Sequence, residues 1–338
     1  MARKSPARST KTRRSSAKSR GQSSRRRFTR TKMVLWLNVI IIAVGAGWYF
    51  FQPAPRQAEV RLLVTNAFTA HKRVELLDVA WDIYQLYYSP DFVAAPPPFG
   101  DRTHLYAGVP QFTLGGENAG RFLANQGYLV GYSDELASPL WAAYRMQDVT
   151  PLPESGERPD RFEVDRRTIA RVDSDAYTNT GYDCGHLAPN YAISTRYGES
   201  AQRETFLMSN VMPQKHGLNA GLWKTLELRA ATSYPARFGE IWILCGPVID
   251  PTLTRLPGRG NRRPVIPAEC FMILIDESDN RVRTLAFLFP QEPAPNTDLS
   301  HYLTTIDEIE RRTDLDFLAA LPDDAEAELE SRPASRVW

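Results

Sequence analysis

Two short polar stretches stand out from the apolar chain around them. One is Gly181-Tyr-Asp-Cys-Gly-His-Leu-Ala-Pro-Asn190; the other is Ser209-Asn-Val-Met-Pro-Gln-Lys-His-Gly-Leu-Asn219, which runs on to Glu227. In the first, Asp183 and His186 lie three apart in a Gly-containing turn, which holds an imidazole close to backbone and substrate. In the second, Asn219 and Glu227 lie eight apart on an expected helix, about two turns and roughly 80° of rotation, so both can border one pocket. An amide oxygen and a carboxylate are hard donors that suit magnesium, manganese or calcium rather than zinc.

Each of these residues has a plainer reading. A lone histidine is more often a buried, hydrogen-bonded structural residue, and His71, His104, His216 and His301 keep that reading, although His216 lies near the candidate site. Asn219 could cap the helix that Gly217-Leu218 opens, and Glu227 alone could be a solvated helix face. Cys184 could be a redox thiol or nucleophile.

The elements that must position them are short. Apolar runs at Tyr128 to Tyr132, Leu140 to Tyr144, Phe206 to Met208, Glu240 to Leu244, Cys270 to Ile275 and Thr284 to Leu288 predict strands. Their turn-rich separation favours an antiparallel sheet. Leu218 to Thr232 predicts a helix with Leu222, Leu226 and Leu228 among its apolar positions, and Asp307 to Arg312 part of a second. The class is α+β.

The chain is 338 residues long and 43% hydrophobic, enough to build a core. Thirteen of its 41 bases and none of its 39 acids fall in residues 1–32, which leaves residues 33–338 with a formal charge of −11. The basic segment predicts a disordered tail. Met33 to Phe51 carries no charge and has Trp36 near one end and Trp48, Tyr49 and Phe50 near the other, which predicts a transmembrane anchor rather than a cleaved signal. The positive-inside rule keeps the tail cytoplasmic and sends the remainder across the membrane; an Arg- and Ser-rich, acid-free amino terminus also allows a mitochondrial inner-membrane location. Residues 52–104 read as a stalk or amino-terminal cap ending at Ala95-Pro96-Pro97-Pro98, residues 105–322 as the main domain, and 323–338 as an acidic tail. Of the three cysteines, Cys245 and Cys270 are the preferred bridging pair, against the commoner outcome of free core thiols.

The motifs resemble those of the DNA/RNA non-specific endonucleases, a family that includes secreted bacterial nucleases and mitochondrial endonuclease G. Asp183-Cys-Gly-His-Leu-Ala-Pro189 resembles its Asp-Arg-Gly-His-x-Ala-Pro signature, and Thr205-Phe-Leu-Met-Ser-Asn-Val-Met-Pro-Gln214 its Thr-Phe-x-x-Ser-Asn-x-x-Pro-Gln segment. Leu218-Asn-Ala-Gly-Leu-Trp-Lys-Thr-Leu-Glu227 resembles its Leu-Asn-x-x-x-Trp-x-x-Leu-Glu helix, and weaker echoes flank these, Arg161-Phe-Glu-Val-Asp165 among them.

The resemblance implies a ββα-metal (His-Me finger) nuclease domain on a central antiparallel sheet. His186 then matches the general base, Asn219 the one direct protein ligand of a single Mg²⁺ or Mn²⁺, and Glu227 the acid that orients metal-bound waters. Asp183, Gln214 and Asn210 support that site, and Arg158, preferred slightly over Arg161, neutralises the phosphate. Implied substrates are DNA and RNA with little sequence preference; a homodimer is left open. Cys184 departs from the family's Arg and removes a guanidinium fork from the phosphate site. Phe206 replaces an asparagine of some secreted members but agrees with the endonuclease G branch. The alternatives are a nuclease-fold binding or scaffold protein that cleaves nothing, and an envelope hydrolase acting on another phosphodiester.

Overall fold

The computed structural model describes residues 20–69, 76–95, 103–113, 120–149, 153–258 and 263–338; residues 1–19 of the basic tail and the Pro96–Pro98 break lie outside them. The chain divides into two compact units, residues 1–58 and 59–338. In the first, helix α1 (Arg20–Phe50) contains a 19-residue apolar window, Lys32–Phe50, with none of it buried. At about 1.5 Å per residue it is long enough, and apolar enough, to cross a bilayer. The helix begins at Arg20, inside the stretch for which composition predicts disorder. Arg and Lys are good helix formers and extend backward the helix that the apolar run sustains.

The second unit is built on an antiparallel sheet. Its strands in chain order are β1 (Val93–Ala94), β2 (Gln111–Phe112), β3 (Arg121–Ala124), β4 (Leu129–Ser133), β5 (Ser138–Gln147), β6 (Asp183–His186), β7 (Val211–Gln214), β8 (Glu240–Val248), β9 (Glu269–Ser278), β10 (Arg281–Pro290), β11 (Leu303–Thr304) and β12 (Leu315–Asp316). Eight of them form the central sheet in the order β1-β10-β9-β8-β5-β4-β3, with β11 also on β10; β2 pairs with β12, and β6 with β7. Both faces of the long strands are covered, so β8 and β9 read as nearly unbroken apolar runs. Ile241, Ile243, Cys245, Met272 and Leu274 enter the core on the site's face, whereas Trp242, Leu244, Ile273 and Ile275 enter the core on the other.

Two other helices, α2 (Ala54–Thr69) and α3 (Leu76–Tyr88), lie in the stretch expected as a stalk or cap. Its described residues from 59 onward belong to the second unit. Ser278 donates to Glu59 at 3.0 Å, and Arg237 makes two bonds, 2.8 and 2.6 Å, to the buried Asp82 carboxylate. Trp338, in the segment expected as an acidic tail, is buried with its ring 5.5 Å from both Tyr234 and Phe238.

The hairpin and helix that carry the polar motifs differ from expectation in three ways. Asp183 to His186 is a strand, not a turn: it pairs antiparallel with β7, Asp183 opposite Gln214 and His186 opposite Val211. Phe206 to Met208 is not a strand but leads into a 3₁₀ turn at Met208–Asn210, because Glu163 and not a sheet partner exchanges backbone bonds with Phe206 and Met208. The single helix expected at Leu218 to Thr232 is α5 (His216–Leu218), a wide π-type turn over Asn219–Trp223 and α6 (Lys224–Ala231), broken at Gly221 with φ −102° and ψ −113°. Such wide turns recur at functional sites. Helix α4 (Asn190–Glu204) leaves the first motif, α7 (Ser233–Phe238) precedes β8, and α8 (Ile306–Thr313) and α9 (Asp323–Glu330) close the chain. All three cysteines are free thiols, Cys245 and Cys270 being buried core residues and not a bridge.

Candidate active site

A cleft of about 370 Å³ opens where the hairpin meets the broken helix, and Arg158, Cys184, His186, Asn219, Lys224 and Glu227 are among its lining residues. The end of β6 delivers His186 to it. Its ring sits 5.0 Å from Phe162 and 5.1 Å from Phe206, centre to centre, and its Nε2 is buried with no hydrogen-bond partner among the described residues. Burial first, and then the nearby Arg158 charge, push its pKa down to about 3. At neutral pH this is therefore a neutral imidazole with proton-accepting capacity.

The aromatic clamp is itself held in place. Glu163 and Phe206 are tied by a backbone bond of 2.9 Å, and the buried Asp165 carboxylate accepts from Ser209 Oγ at 2.6 Å and from Arg167. The Arg158 guanidinium lies 5.2 Å from the centre of the Phe206 ring, within cation–π range. Of the two candidate arginines, Arg158 lines the cleft and Arg161 is not among the lining residues.

Asn219 starts the wide turn. Its Nδ2 donates to Asp183 Oδ2 at 3.0 Å, and that oxygen also lies 2.8 Å from His216 Nδ1. With the amide nitrogen committed, the amide oxygen is left as the donor atom. Glu227 follows two turns later and accepts from Trp223 Nε1 at 2.9 Å; burial pushes its carboxyl up to about 8. An amide oxygen and a carboxyl group lining one cleft are oxygen donors of the kind that fit one hard divalent cation.

Three predicted residues stand elsewhere or act otherwise. Asn210 is fully buried behind the hairpin: its side chain accepts from Ala188 N–H at 2.9 Å and donates to the Ala188 and Thr205 carbonyls. It thus fixes the turn after His186 and does not line the cleft. Gln214 is also fully buried, with Nε2 3.8 Å from Cys270 Sγ, and its side chain crosses the Cα of Gly185 so closely that a Cβ there would fall 2.0 Å from Gln214 Oε1. Cys184 does line the cleft, but burial and then the Asp183 charge push its thiol up to about 12, which makes it a poor nucleophile.

Sequence reasoning missed Lys224, Asn190 and Tyr191, all of which line the cleft. Lys224 precedes Glu227 by three residues, the spacing that places two side chains on one helix face, so it was legible. Asn190 could be found only through the fold: its Oδ1 accepts from Gln202 Nε2 at 2.8 Å, and Gln202 also reaches the Gly156 carbonyl in the loop that carries Arg158.

An antiparallel strand pair and the broken helix after it bring imidazole, amide and carboxyl groups to one cleft beside a central antiparallel sheet. The family model for DNA/RNA non-specific endonucleases matches residues 107–324, and the chain belongs to that family. It is 32% identical over 199 residues to a nuclease of Serratia marcescens, a match covering 57% of this chain and 73% of that one. With the mitochondrial nuclease EXOG of Danio rerio it shares 25% identity over 214 residues, 60% of this chain and 61% of that one. Mitochondrial endonuclease G of Homo sapiens is 26% identical over 207 residues, 58% and 68% of the two chains. A crystal structure of the EndoG/EndoGI complex superposes with a TM-score of 0.52 at 19% identity over 61% of this chain and 89% of that one, a likeness of fold.

Proposed function

We propose that the protein is a membrane-anchored, metal-dependent endonuclease that hydrolyses DNA and RNA phosphodiester bonds with little sequence preference. The observation that carries the reading is the half-buried, neutral His186, its Nε2 without a hydrogen-bond partner among the described residues, in the same cleft as Asn219 and Glu227. In the proposed reaction His186 takes the proton from an attacking water, a role worth about 10² to 10⁴ in rate. Asn219, its amide fixed by Asp183, holds one Mg²⁺ or Mn²⁺ through its oxygen, and Glu227 orients the surrounding water. When bound, the cation supplies positive charge against the phosphoryl and leaving oxygens. Arg158, and Lys224 beside it on the cleft wall, neutralise substrate phosphate.

The apolar helix Lys32–Phe50 supports a single membrane pass, and the excess of bases before it supports a cytoplasmic amino terminus with the nuclease unit on the other side. A mitochondrial inner-membrane location is the alternative, in keeping with the mitochondrial relatives. The test uses the full chain in detergent on plasmid DNA and on RNA. Cleavage is expected to stop with EDTA, to return with Mg²⁺ or Mn²⁺, and to fall at least 100-fold in His186→Ala. Unchanged cleavage in that variant removes the assigned base.

Cys184 favours a second reading, a nuclease-fold binding protein that cleaves nothing, because the family's guanidinium is missing from the cleft wall. Under that reading the wild type is inactive on both polymers and Cys184→Arg restores cleavage.

A further inference from the structure

We propose that Asp307, Glu310 and Glu330 form a divalent-cation site for a hard, calcium-like ion that ties the C-terminal helix α9 to α8, away from the cleft and independent of its function. One carboxylate oxygen from each of the three residues lies within 4.8 Å of the others. Two oxygens on one calcium ion, each about 2.4 Å from it, are at most about 4.8 Å apart, so the spacing matches shared coordination. The donors are all oxygens, which disfavours zinc.

Glu330 supplies the second observation. It is only 6% exposed, and its Oε1 is buried with no hydrogen-bond partner among the described residues, although the carboxylate faces two others. Buried carboxylates are ordinarily paired or fully hydrogen-bonded, so this group calls for a counter-charge. No base among the described residues provides it. Arg311 and Arg312 on α8 pair with Glu308 and Glu269, and Arg332 after α9 pairs with Glu328.

The rest of the cluster is prearranged. Glu310 Oε1 accepts from Phe317 N–H at 2.7 Å, which fixes its carboxylate, while Asp307 is exposed and leaves room for coordinating water. A cation can take an oxygen from all three carboxylates at once, where a shared proton joins only two.

The experiment uses the full chain in detergent, stripped with EDTA and titrated with CaCl₂ alone, with thermal unfolding and calorimetric binding as readouts. Asn219→Ala is the control for calcium in the cleft. Expected is a Tm rise of about 5 °C at 100-fold excess over Kd in both wild type and Asn219→Ala. In Glu330→Gln that rise and one calorimetric site disappear, and in Asp307→Asn binding weakens at least tenfold. Glu330→Gln relieves a buried charge, so its metal-free Tm equals or exceeds that of the wild type and folding is not in question. A calcium response in Glu330→Gln equal to that of the wild type, or none in either protein, overturns the proposal; the three carboxylates then share protons instead.

Discussion

Asn219 Nδ2 donates to Asp183 Oδ2 at 3.0 Å, so the first residue of the hairpin fixes the amide at the start of the helix. The same oxygen lies 2.8 Å from His216 Nδ1, but His216 is 81% exposed, and an exposed partner contributes little. Asp183→Asn should therefore loosen the amide and raise the Mg²⁺ concentration for half-maximal cleavage about 10- to 100-fold, with a smaller loss at saturating metal. His216→Ala should shift it less than threefold. Metal titrations of plasmid cleavage separate the two, and equal effects would show that Asp183 acts only through His216.

The depressed pKa of His186 makes a stability prediction with a definite sign. Its folded-state value of about 3 lies below the ordinary value of 6.5, so on acidification the unfolded chain takes up a proton that the folded one refuses. Stability from this group is intact above about pH 6.5 and is lost as the pH falls toward 3. At pH 5 the loss is at most about 2 kcal/mol, since the ring borders the cleft and keeps some water contact. His186→Gln removes the titration. Its urea midpoint should fall less between pH 7 and pH 5 than that of the wild type, and parallel falls would place the imidazole in water.

That His186, Asn219 and Glu227 share one cleft was legible in the sequence through the motifs that resemble the family's. The strand pair was not: Asp-Cys-Gly-His is small and polar, shows no alternation, and pairs with Val211–Gln214 far along the chain, the Gln214 side chain crossing Gly185. The apolar Phe206-Leu207-Met208 run imitates a strand, but Phe206 is spent on clamping His186. Asn210 sits in a motif as any site residue would, and only its bonds to Ala188 show that it holds the turn and not the substrate. The packing of α3 rests on partners such as Asp82 and Arg237, 155 positions apart, which no local pattern reveals. The wide turn at Gly221 was hidden because its apolar spacing reads as an ordinary helix.

Cys184 lines the cleft as a neutral thiol held up at about 12, and in this form it offers substrate neither charge nor a strong hydrogen bond. Cys184→Arg should supply one phosphate contact. The KM for DNA is expected to fall several-fold at low salt, and the slope of log affinity against log salt to steepen by about 0.9. Filter binding of a short duplex across a salt series measures this. An unchanged slope would mean that substrate phosphate does not pass this wall.

Gly185 gives the sharpest structural test because a single methyl group should disable the hairpin. A Cβ at this position would lie 2.0 Å from Gln214 Oε1 and 2.5 Å from its Cδ, and Gln214 is fully buried. Either the strands separate, which moves His186 relative to Asn219, or Gln214 leaves its rotamer and strains the core beside Cys270. Overpacking of this kind destabilises by about 1–3 kcal/mol. Gly185→Ala should therefore lower the urea midpoint and reduce cleavage at least tenfold. In Gly185→Ala combined with Gln214→Ala the clash is gone, so much of the stability should return. Should the single variant be as stable as the wild type, the close crossing of Gln214 over the hairpin does not exist in solution.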